Sequence, residues 1–93
     1  MVEINAYSKA KDGSKKLSAN FTVKEFACKD GSDAVLTAPR LVMVLQSIRS
    51  HFAAPVVIHS AYRTPQYNAK VGGASHSQHC YGTAADISVK GQT

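Results

Sequence analysis

Residues 77–86 read SQHCYGTAAD, and this stretch carries two side chains that commonly bind metal ions, with a glycine between them. His79 supplies an imidazole nitrogen and Asp86 a carboxylate oxygen, donor types that zinc accepts in tetrahedral sites. Gly82 indicates a turn that would fold both side chains onto one ion. A hydrogen-bonded pair of the same two residues on the surface is the alternative, and chemistry alone favours it. A choice between a zinc site and a surface pair therefore depends on other parts of the sequence.

A long helix and two strands are predicted around this stretch. The helix runs from Pro39 to Phe52, because proline suits the first turn and apolar residues recur at helical spacing. Its predicted buried stripe consists of Leu41, Val42, Val44, Leu45, Ile48 and Phe52. The β-branched residues 56–58 predict a buried strand, and residues 84–89 predict a last strand with alternating faces. These elements indicate a small α+β domain.

Shorter signals predict the remaining elements. Thr22 and Glu25 form a capping box for a helix over residues 23–27, with Phe21 and Phe26 placed as a hydrophobic staple. Thr64 and Pro65 predict the start of a helix that continues to Val71 and ends at Gly72 and Gly73. Alternating Val2, Ile4 and Ala6 predict a short edge strand, and residues 11–16 and 29–33 are expected to be loops.

Charge and cysteine content limit the classes of function. The chain of 93 residues has a net charge of +5, and six lysines precede residue 30. This charge suits a polyanionic partner, whether nucleic acid, anionic lipid or a cell-wall polymer, and equally a solvated lysine-rich face. We expect no membrane span and no secretory signal, because no apolar run is long enough and the N-terminus lacks the signal pattern. Cys28 and Cys80 fit no C-x-x-C spacing and are expected to be free thiols, with a disulfide between them as the alternative.

The motifs resemble those of a known family of peptidases. The pattern S-x-H-x-x-G-x-A-x-D, matched by residues 77–86, is similar to the signature of zinc D-Ala-D-Ala carboxypeptidases and related L,D- and D,D-peptidases. These belong to the Hedgehog/DD-peptidase superfamily, which includes phage endolysins and vancomycin-resistance dipeptidases. Residues 60–65 (SAYRTP), Asn68 and residues 71–73 (VGG) resemble the upstream segment of that family, and residues 21–28 resemble its N-terminal helix. The resemblance extends from about residue 20 to about residue 90.

The resemblance implies a fold and a set of roles. The fold would be Hedgehog/DD-peptidase-like, a small antiparallel sheet with flanking helices over residues 20–93, after a basic N-terminal extension at residues 1–19. His79 and Asp86 would be zinc ligands, and Arg63 would stabilise the negative charge that develops on the scissile carbonyl oxygen. An ion pair with a carboxylate is the structural alternative for Arg63. The residues expected to bind substrate or orient a ligand are Tyr62, Asn68, His76 and Ser77.

One part of the family pattern has no counterpart in this sequence. The family continues to a final strand with a third histidine ligand and a nearby acidic base, and no residue after Asp86 fills either role. We therefore expect a shortened domain with an exposed apolar surface that favours self-association. His76 is the nearest substitute ligand, although a role beside the site is the stronger expectation. His59 is expected in the core, bonded to a backbone carbonyl, and His51 on the surface.

Three functions follow from these observations. The first is a zinc peptidase that cleaves peptidoglycan stem peptides with D,D- or L,D-specificity, made in a bacterial or phage-infected cytoplasm and acting at the wall. The second is a non-catalytic fragment that retains wall binding or weak metal binding, which the missing ligand and base favour. The third is a basic nucleic-acid-binding module, for which the sequence has neither a recognisable motif nor an aromatic stacking platform.

Overall fold

The computed structural model describes residues 3–74 and 77–91 of the chain. The strands are β1 (Asn5–Ser8), β2 (Lys16–Ser18), β3 (Phe21–Thr22), β4 (Ala34–Thr37), β5 (Val56–Ser60) and β6 (Asp86–Val89). The α-helices are α1 (Lys9–Asp12), α2 (Pro39–Phe52) and α3 (Pro65–Lys70), and two 3₁₀ helices span Val23–Phe26 and Gln78–Tyr81. Within the described ranges, no helix is long and apolar enough to cross a membrane.

The strands pair as three separate antiparallel ladders of two strands each. β1 pairs with β4, β2 with β3, and β5 with β6. The α+β prediction is thus compatible with the structure, although the strands form no single sheet. The segment expected to be an N-terminal extension contributes β1 and β2 to two of these ladders. The predicted edge strand lies later than expected, at Asn5–Ser8, and its first expected residue falls outside the described part of the chain.

Helix α2 begins and ends at the predicted residues, but its buried face is narrower than the predicted stripe. Val42 and Leu45 are buried at 5 % and 3 % exposure, and Leu41 and Ile48 pack against the core as half-buried residues. Val44 and Phe52 are exposed at 50 % and 43 %, so their assignment to the core was wrong. The small ladders cover only one side of the helix, and the flanks of its apolar stripe remain open to solvent.

The predicted strand at residues 56–58 is confirmed and continues to Ser60, but it is buried on one face only. Val56 and Ile58 point into the core, whereas Val57 is 50 % exposed. A two-stranded ladder has one face packed on the core and one face free, so alternate residues of β5 meet solvent. His59 lies on that free face, where its Nε2 is 2.8 Å from the Ser88 hydroxyl. The expectation of a core histidine was therefore wrong.

The N-terminal half of the core is built from the capping segment predicted at residues 21–26. The Thr22 backbone amide donates to the Glu25 carboxylate at 2.6 Å, and the segment forms a 3₁₀ helix. The rings of Phe21 and Phe26 lie 6.2 Å apart, and both side chains are fully buried. This local motif confirms the predicted helix start, and its buried side chains form part of the core against which β5 packs.

Acidic residues balance much of the basic charge in the first third of the chain. Asp12 accepts from the Ser8 backbone amide at 2.9 Å, and Asp33 accepts from the Ala10 backbone amide at 2.8 Å and from the Ser8 hydroxyl at 2.7 Å. These contacts place two carboxylates beside the lysines of α1. Hydrogen bonds from Ser8 and Ala10, with the charges of Lys11 and Lys9, lower the pKa of Asp33. The lysine-rich segment is therefore less basic as a surface than its sequence suggests.

Candidate metal centre

The β5–β6 ladder positions Asp86 at the end of the fold where the peptidase-like motifs converge. Asp86 is the first residue of β6, and it pairs in register with Ser60, the last residue of β5. The register shifts between Ile58 and Ser60, so the end of β5 is irregular where the chain leaves for the Tyr62–Arg63 segment. The Asp86 side chain is 61 % exposed and open to an ion arriving from solvent.

His79 is held from both ends of the Gln78–Tyr81 3₁₀ helix. The Ser77 hydroxyl caps this helix by accepting from the His79 backbone amide at 3.2 Å. Gly82 ends it with a positive φ of 75°, and its carbonyl accepts from the Ala38 backbone amide at 2.9 Å. A Cβ at Gly82 would lie 2.6 Å from the Leu36 carbonyl oxygen. The positive φ and this close approach leave no room for a side chain at Gly82, and Ser77 acts here on the position of His79.

The orientation of the His79 ring leaves one nitrogen facing Asp86. Its Nδ1 lies 2.7 Å from the Ala61 carbonyl oxygen, which can only accept, so Nδ1 carries the proton. Nε2 faces the Asp86 Oδ2 at 3.4 Å, and the His79 side chain is only 12 % exposed. Two oxygen or nitrogen donors bound to one tetrahedral zinc at 2.0–2.1 Å are roughly 3.3 Å apart. The separation of these two atoms therefore fits a shared cation, and a proton on Nε2 would satisfy the same pair as a hydrogen-bonded ion pair.

Arg63 lies against the same carboxylate but is held mainly by neutral groups. Its Nε donates to the Ser60 hydroxyl and its Nη1 to the Asn68 amide oxygen, each at 3.2 Å. Its Nη2 is 3.7 Å from Asp86 Oδ2, and its backbone amide donates to the His79 carbonyl at 3.1 Å. The ion pair expected as the structural alternative is thus present, yet it is longer than a direct hydrogen bond. The guanidinium keeps one edge turned toward the His79–Asp86 pair.

Asn68 is a buried connector between Arg63 and the loop that follows α3. Its side chain donates from Nδ2 to the Ala74 carbonyl at 2.6 Å, and the residue is 3 % exposed. Its backbone carbonyl accepts from the Gly73 amide at 2.8 Å. A Cβ at Gly73 would collide with the Asn68 side chain, so only glycine fits there. The spacing of Asn68 and Gly73 in the sequence thus reflects one packed unit.

Tyr62 belongs to the packed interior more than to the open site. It is 8 % exposed, and its backbone amide donates to the Phe26 carbonyl at 3.1 Å. Burial raises the pKa of the Tyr62 phenol, and the neighbouring Cys28 and Cys80 add to the shift. Both cysteines are free thiols, as predicted. A role of Tyr62 in binding substrate stays a prediction, while its packing anchors the segment that carries Arg63.

The other candidate ligands do not join His79 and Asp86 in the described structure. His51 is exposed on α2, as predicted, and His59 lies on the free face of β5. His76, the nearest substitute ligand, lies outside the described residues. Among residues 3–74 and 77–91, no group of three His, Cys, Asp or Glu side chains could hold a metal ion. His79 and Asp86 are thus two donors that lie together, and no third donor joins them within these ranges.

Sequence reasoning missed two contributors to this site. Ser60 holds the Arg63 guanidinium, and Ala61 fixes the His79 ring through its backbone carbonyl. Both lie in the SAYRTP segment whose motif was recognised, but only Tyr62 and Arg63 were assigned site roles there. The serine hydroxyl three residues before an arginine was the available signal. The sequence has no signal for the role of Ala61, because any residue at this position would have the same backbone carbonyl.

Comparison with known proteins supports the motif assignment. A sequence model described as Peptidase M15 matches residues 16–93, which is most of the chain. No curated protein matches the chain. No solved structure matches it either.

Proposed function

Because this chain belongs to the Peptidase M15 family, we propose that it binds zinc through His79 and Asp86 and acts on the stem peptides of peptidoglycan. The observation that carries the proposal is the approach of His79 Nε2 to Asp86 Oδ2 at 3.4 Å. The Nδ1 contact to the Ala61 carbonyl supports it, because such a second hydrogen bond fixes the tautomer and orientation of a metal-bound histidine. The exposure of Asp86 gives an ion a route to the pair.

The roles of the protein residues follow from their contacts. Zinc, when bound, would polarise the scissile carbonyl and acidify a water molecule. Ser60 and Asn68 orient Arg63 through an uncharged hydroxyl and an uncharged amide, so they fix the guanidinium without neutralising it. Its charge therefore remains available to an oxyanion that develops beside the His79–Asp86 pair. The preference for a D,D- or an L,D-bond would be set by residues that contact the substrate outside the His79–Asp86 pair.

A second candidate function is favoured by the incomplete donor set. A catalytic zinc usually has three protein ligands and a bound water, and the described residues contribute two. Within the described ranges, no third His, Cys, Asp or Glu side chain completes a metal-holding group with this pair. A chain of this kind would bind zinc weakly and hold wall peptides without cleaving them. Both functions use the metal-binding pair, but only the first includes cleavage of the stem peptide.

The first experiment measures zinc in the purified protein by elemental analysis after dialysis against a low zinc concentration. We compare the wild type with the His79→Ala/Asp86→Ala double variant. The matched control is His59→Ala/Asp30→Ala, which also removes one imidazole and one carboxylate, both of them exposed and outside the pair. Near-stoichiometric zinc in the wild type and the control, with none in the first variant, supports the proposal. Equal background zinc in all three proteins overturns it.

The second experiment separates the two candidate functions. Zinc-loaded protein is incubated with purified peptidoglycan, and released amino acids and peptides are identified by mass spectrometry. Release that is lost in the His79→Ala/Asp86→Ala variant supports a peptidase. Sedimentation with the wall material without release supports the non-catalytic binding function.

A further inference from the structure

A second concave site lies on the side of α2 that faces β1, β2 and the end of β4. It is a groove of about 610 Å³, within the usual size of small-ligand sites. We call it the α2 groove. None of the side chains that line it is charged, although the chain has eleven Lys and Arg and six Asp and Glu residues. Neither His79 nor Asp86 lines this groove.

The walls of the α2 groove combine aliphatic and neutral polar groups. Leu17 and Val42 supply an apolar wall, and Met43 stands at the rim with 67 % exposure. Asn5, Tyr7 and Ser50 supply an amide and two hydroxyl groups. The lining side chains offer hydrogen bonds and apolar contact but no counter-ion, and the Lys15 ammonium lies 5.6 Å from the centre of the Tyr7 ring. A charged ligand would thus lose hydration without a charged partner in the wall itself.

Part of the polar wall is fixed in place before any ligand arrives. The Gln46 Oε1 accepts from the Ser18 hydroxyl at 2.6 Å and from the Asn20 backbone amide at 2.9 Å. Its Nε2 donates to the Asn20 side chain at 2.8 Å. These bonds tie α2 to the β2–β3 turn and hold the groove open at one end. A pre-formed wall reduces the ordering cost of binding.

Thr37 connects the α2 groove to the candidate metal centre through β4. It lines the groove at the end of β4, is 2 % exposed, and its hydroxyl has no hydrogen-bond partner within the described residues. The backbone at Leu36 and Thr37 packs against Gly82, which ends the 3₁₀ helix that carries His79. The groove and the turn that presents His79 therefore both lie against the end of β4.

We propose that the α2 groove binds an uncharged N-acetylated saccharide, as found in the glycan strand that carries peptidoglycan stem peptides. Hydroxyl and acetamido groups match the neutral hydroxyls and amides of the wall, and sugar C–H faces match its aliphatic side. The absence of charge separates this ligand from anionic wall polymers, which the net charge of +5 alone would favour. The choice of glycan rests on the proposed function, whereas the preference for a neutral ligand rests on the groove.

The test is a titration of ¹⁵N-labelled protein with tri-N-acetylchitotriose, followed by amide chemical shifts in the presence of a metal chelator. We expect saturable shifts at residues that line the groove, with a Kd of about 1 mM. Maltotriose, which lacks acetamido groups, should bind at least about tenfold more weakly, a difference of roughly 1.4 kcal/mol. Because no metal is present, failure of this titration leaves zinc binding untouched, and failure of zinc binding leaves the groove untouched.

Two helix variants locate the binding site. Met43→Lys places a charge at the rim of the groove and should weaken chitotriose binding about tenfold. Val44→Lys is the matched control, since Val44 is also exposed on α2 but lines a separate depression with Arg40 and Leu41. It should leave the Kd within about twofold. Equal effects of both variants, shifts outside the groove, or tighter binding of a polyglycerol phosphate that competes with chitotriose would overturn the proposal.

Discussion

The Asn68 amide oxygen accepts a hydrogen bond from Arg63 Nη1 at 3.2 Å, while the other end of the same amide donates to the Ala74 carbonyl at 2.6 Å. One buried side chain thus joins the arginine of the candidate site to the loop that follows α3. An amide suits this position because it offers an acceptor and a donor together. A carboxylate would neutralise the arginine and repel the Ala74 carbonyl.

Replacement of Asn68 by alanine tests this connection. The Asn68→Ala variant leaves the Ala74 carbonyl without its donor and frees Arg63 Nη1, so we expect a loss of about 1–3 kcal/mol in the free energy of unfolding. Urea denaturation measures it. Asn20→Ala, which removes one exposed hydrogen bond from Gln46, should cost less, about 0.5–1 kcal/mol.

A separate signal distinguishes positioning of Arg63 from general destabilisation. The Arg63 Nε–H resonance should exchange faster with water in Asn68→Ala than in the wild type under conditions where both proteins are folded. An unchanged exchange rate, even with reduced stability, would show that Ser60 alone fixes the guanidinium.

Gly82 provides a comparison between backbone strain and steric collision. Gly82 and Gly91 have similar positive φ angles of 75° and 84°, but a Cβ at Gly91 meets no atom within 4 Å, whereas one at Gly82 approaches the Leu36 carbonyl. Gly91→Ala should cost about 1 kcal/mol, the cost of a left-handed alanine. Gly82→Ala should cost about 1–3 kcal/mol more, because the collision with backbone forces a shift.

Thermal unfolding of the two glycine variants measures the difference. Since Gly82 ends the 3₁₀ helix that carries His79, zinc binding should also weaken in Gly82→Ala and remain unchanged in Gly91→Ala. Equal stabilities of the two variants would mean that β4 yields easily to the added methyl group.

The pH dependence of stability should include a contribution from Asp30. Hydrogen bonds from Ser32, followed by one from the Thr64 hydroxyl at 2.8 Å, lower the pKa of Asp30 below its ordinary value of 3.8. A group whose pKa is lower in the folded state stabilises the fold above its unfolded pKa, and this contribution is lost as the pH falls toward the folded value. Stability should therefore fall below about pH 4.

The Asp30→Asn variant identifies the residue responsible. It removes the titrating group, so the slope of the melting temperature against pH should become shallower between about pH 4 and about pH 2. Glu3→Gln, at an exposed carboxylate, is the matched control and should keep the wild-type slope. Since Thr64 also caps α3 through the Tyr67 amide, helix α3 is the element expected to loosen in acid.

Local signals in the sequence predicted some elements accurately. Pro39 and the helical spacing after it predicted both ends of α2, and the Thr22–Glu25 capping box predicted the start of the first 3₁₀ helix. These signals act within one turn of the chain, so they need no knowledge of the rest of the fold. Periodicity gave the direction of the buried face of α2 but not its width, which depends on how much of the helix the ladders cover. Val44 and Phe52 are exposed for that reason.

Elements that depend on distant partners were not predictable in the same way. β4 has four residues and pairs with β1, whose residues lie about thirty positions earlier in the sequence. Neither strand has a periodic pattern long enough to identify it alone. The candidate site shows the same division. The resemblance to the peptidase motifs implied that His79 and Asp86 share a site, whereas the contact between the His79 ring and a backbone carbonyl followed from the fold.

Replacement of Arg63 should affect zinc binding and catalysis in opposite directions. The guanidinium Nη2 lies 3.7 Å from Asp86 Oδ2 and competes with a cation for the same oxygen. In Arg63→Gln the charge is lost together with the Nη1 bond to Asn68, while the shorter amide can replace Nε as the donor to Ser60. The zinc affinity should rise about fivefold, equivalent to roughly 1 kcal/mol for a partly exposed ion pair. Isothermal titration with zinc measures this change, and Arg49→Gln on α2 is the control for loss of one positive charge.

If zinc-loaded protein cleaves peptidoglycan, Arg63→Gln should lower kcat by roughly 100-fold, because the oxyanion loses its charged partner. A fall in zinc affinity would show instead that Arg63 holds Asp86 in position for the metal.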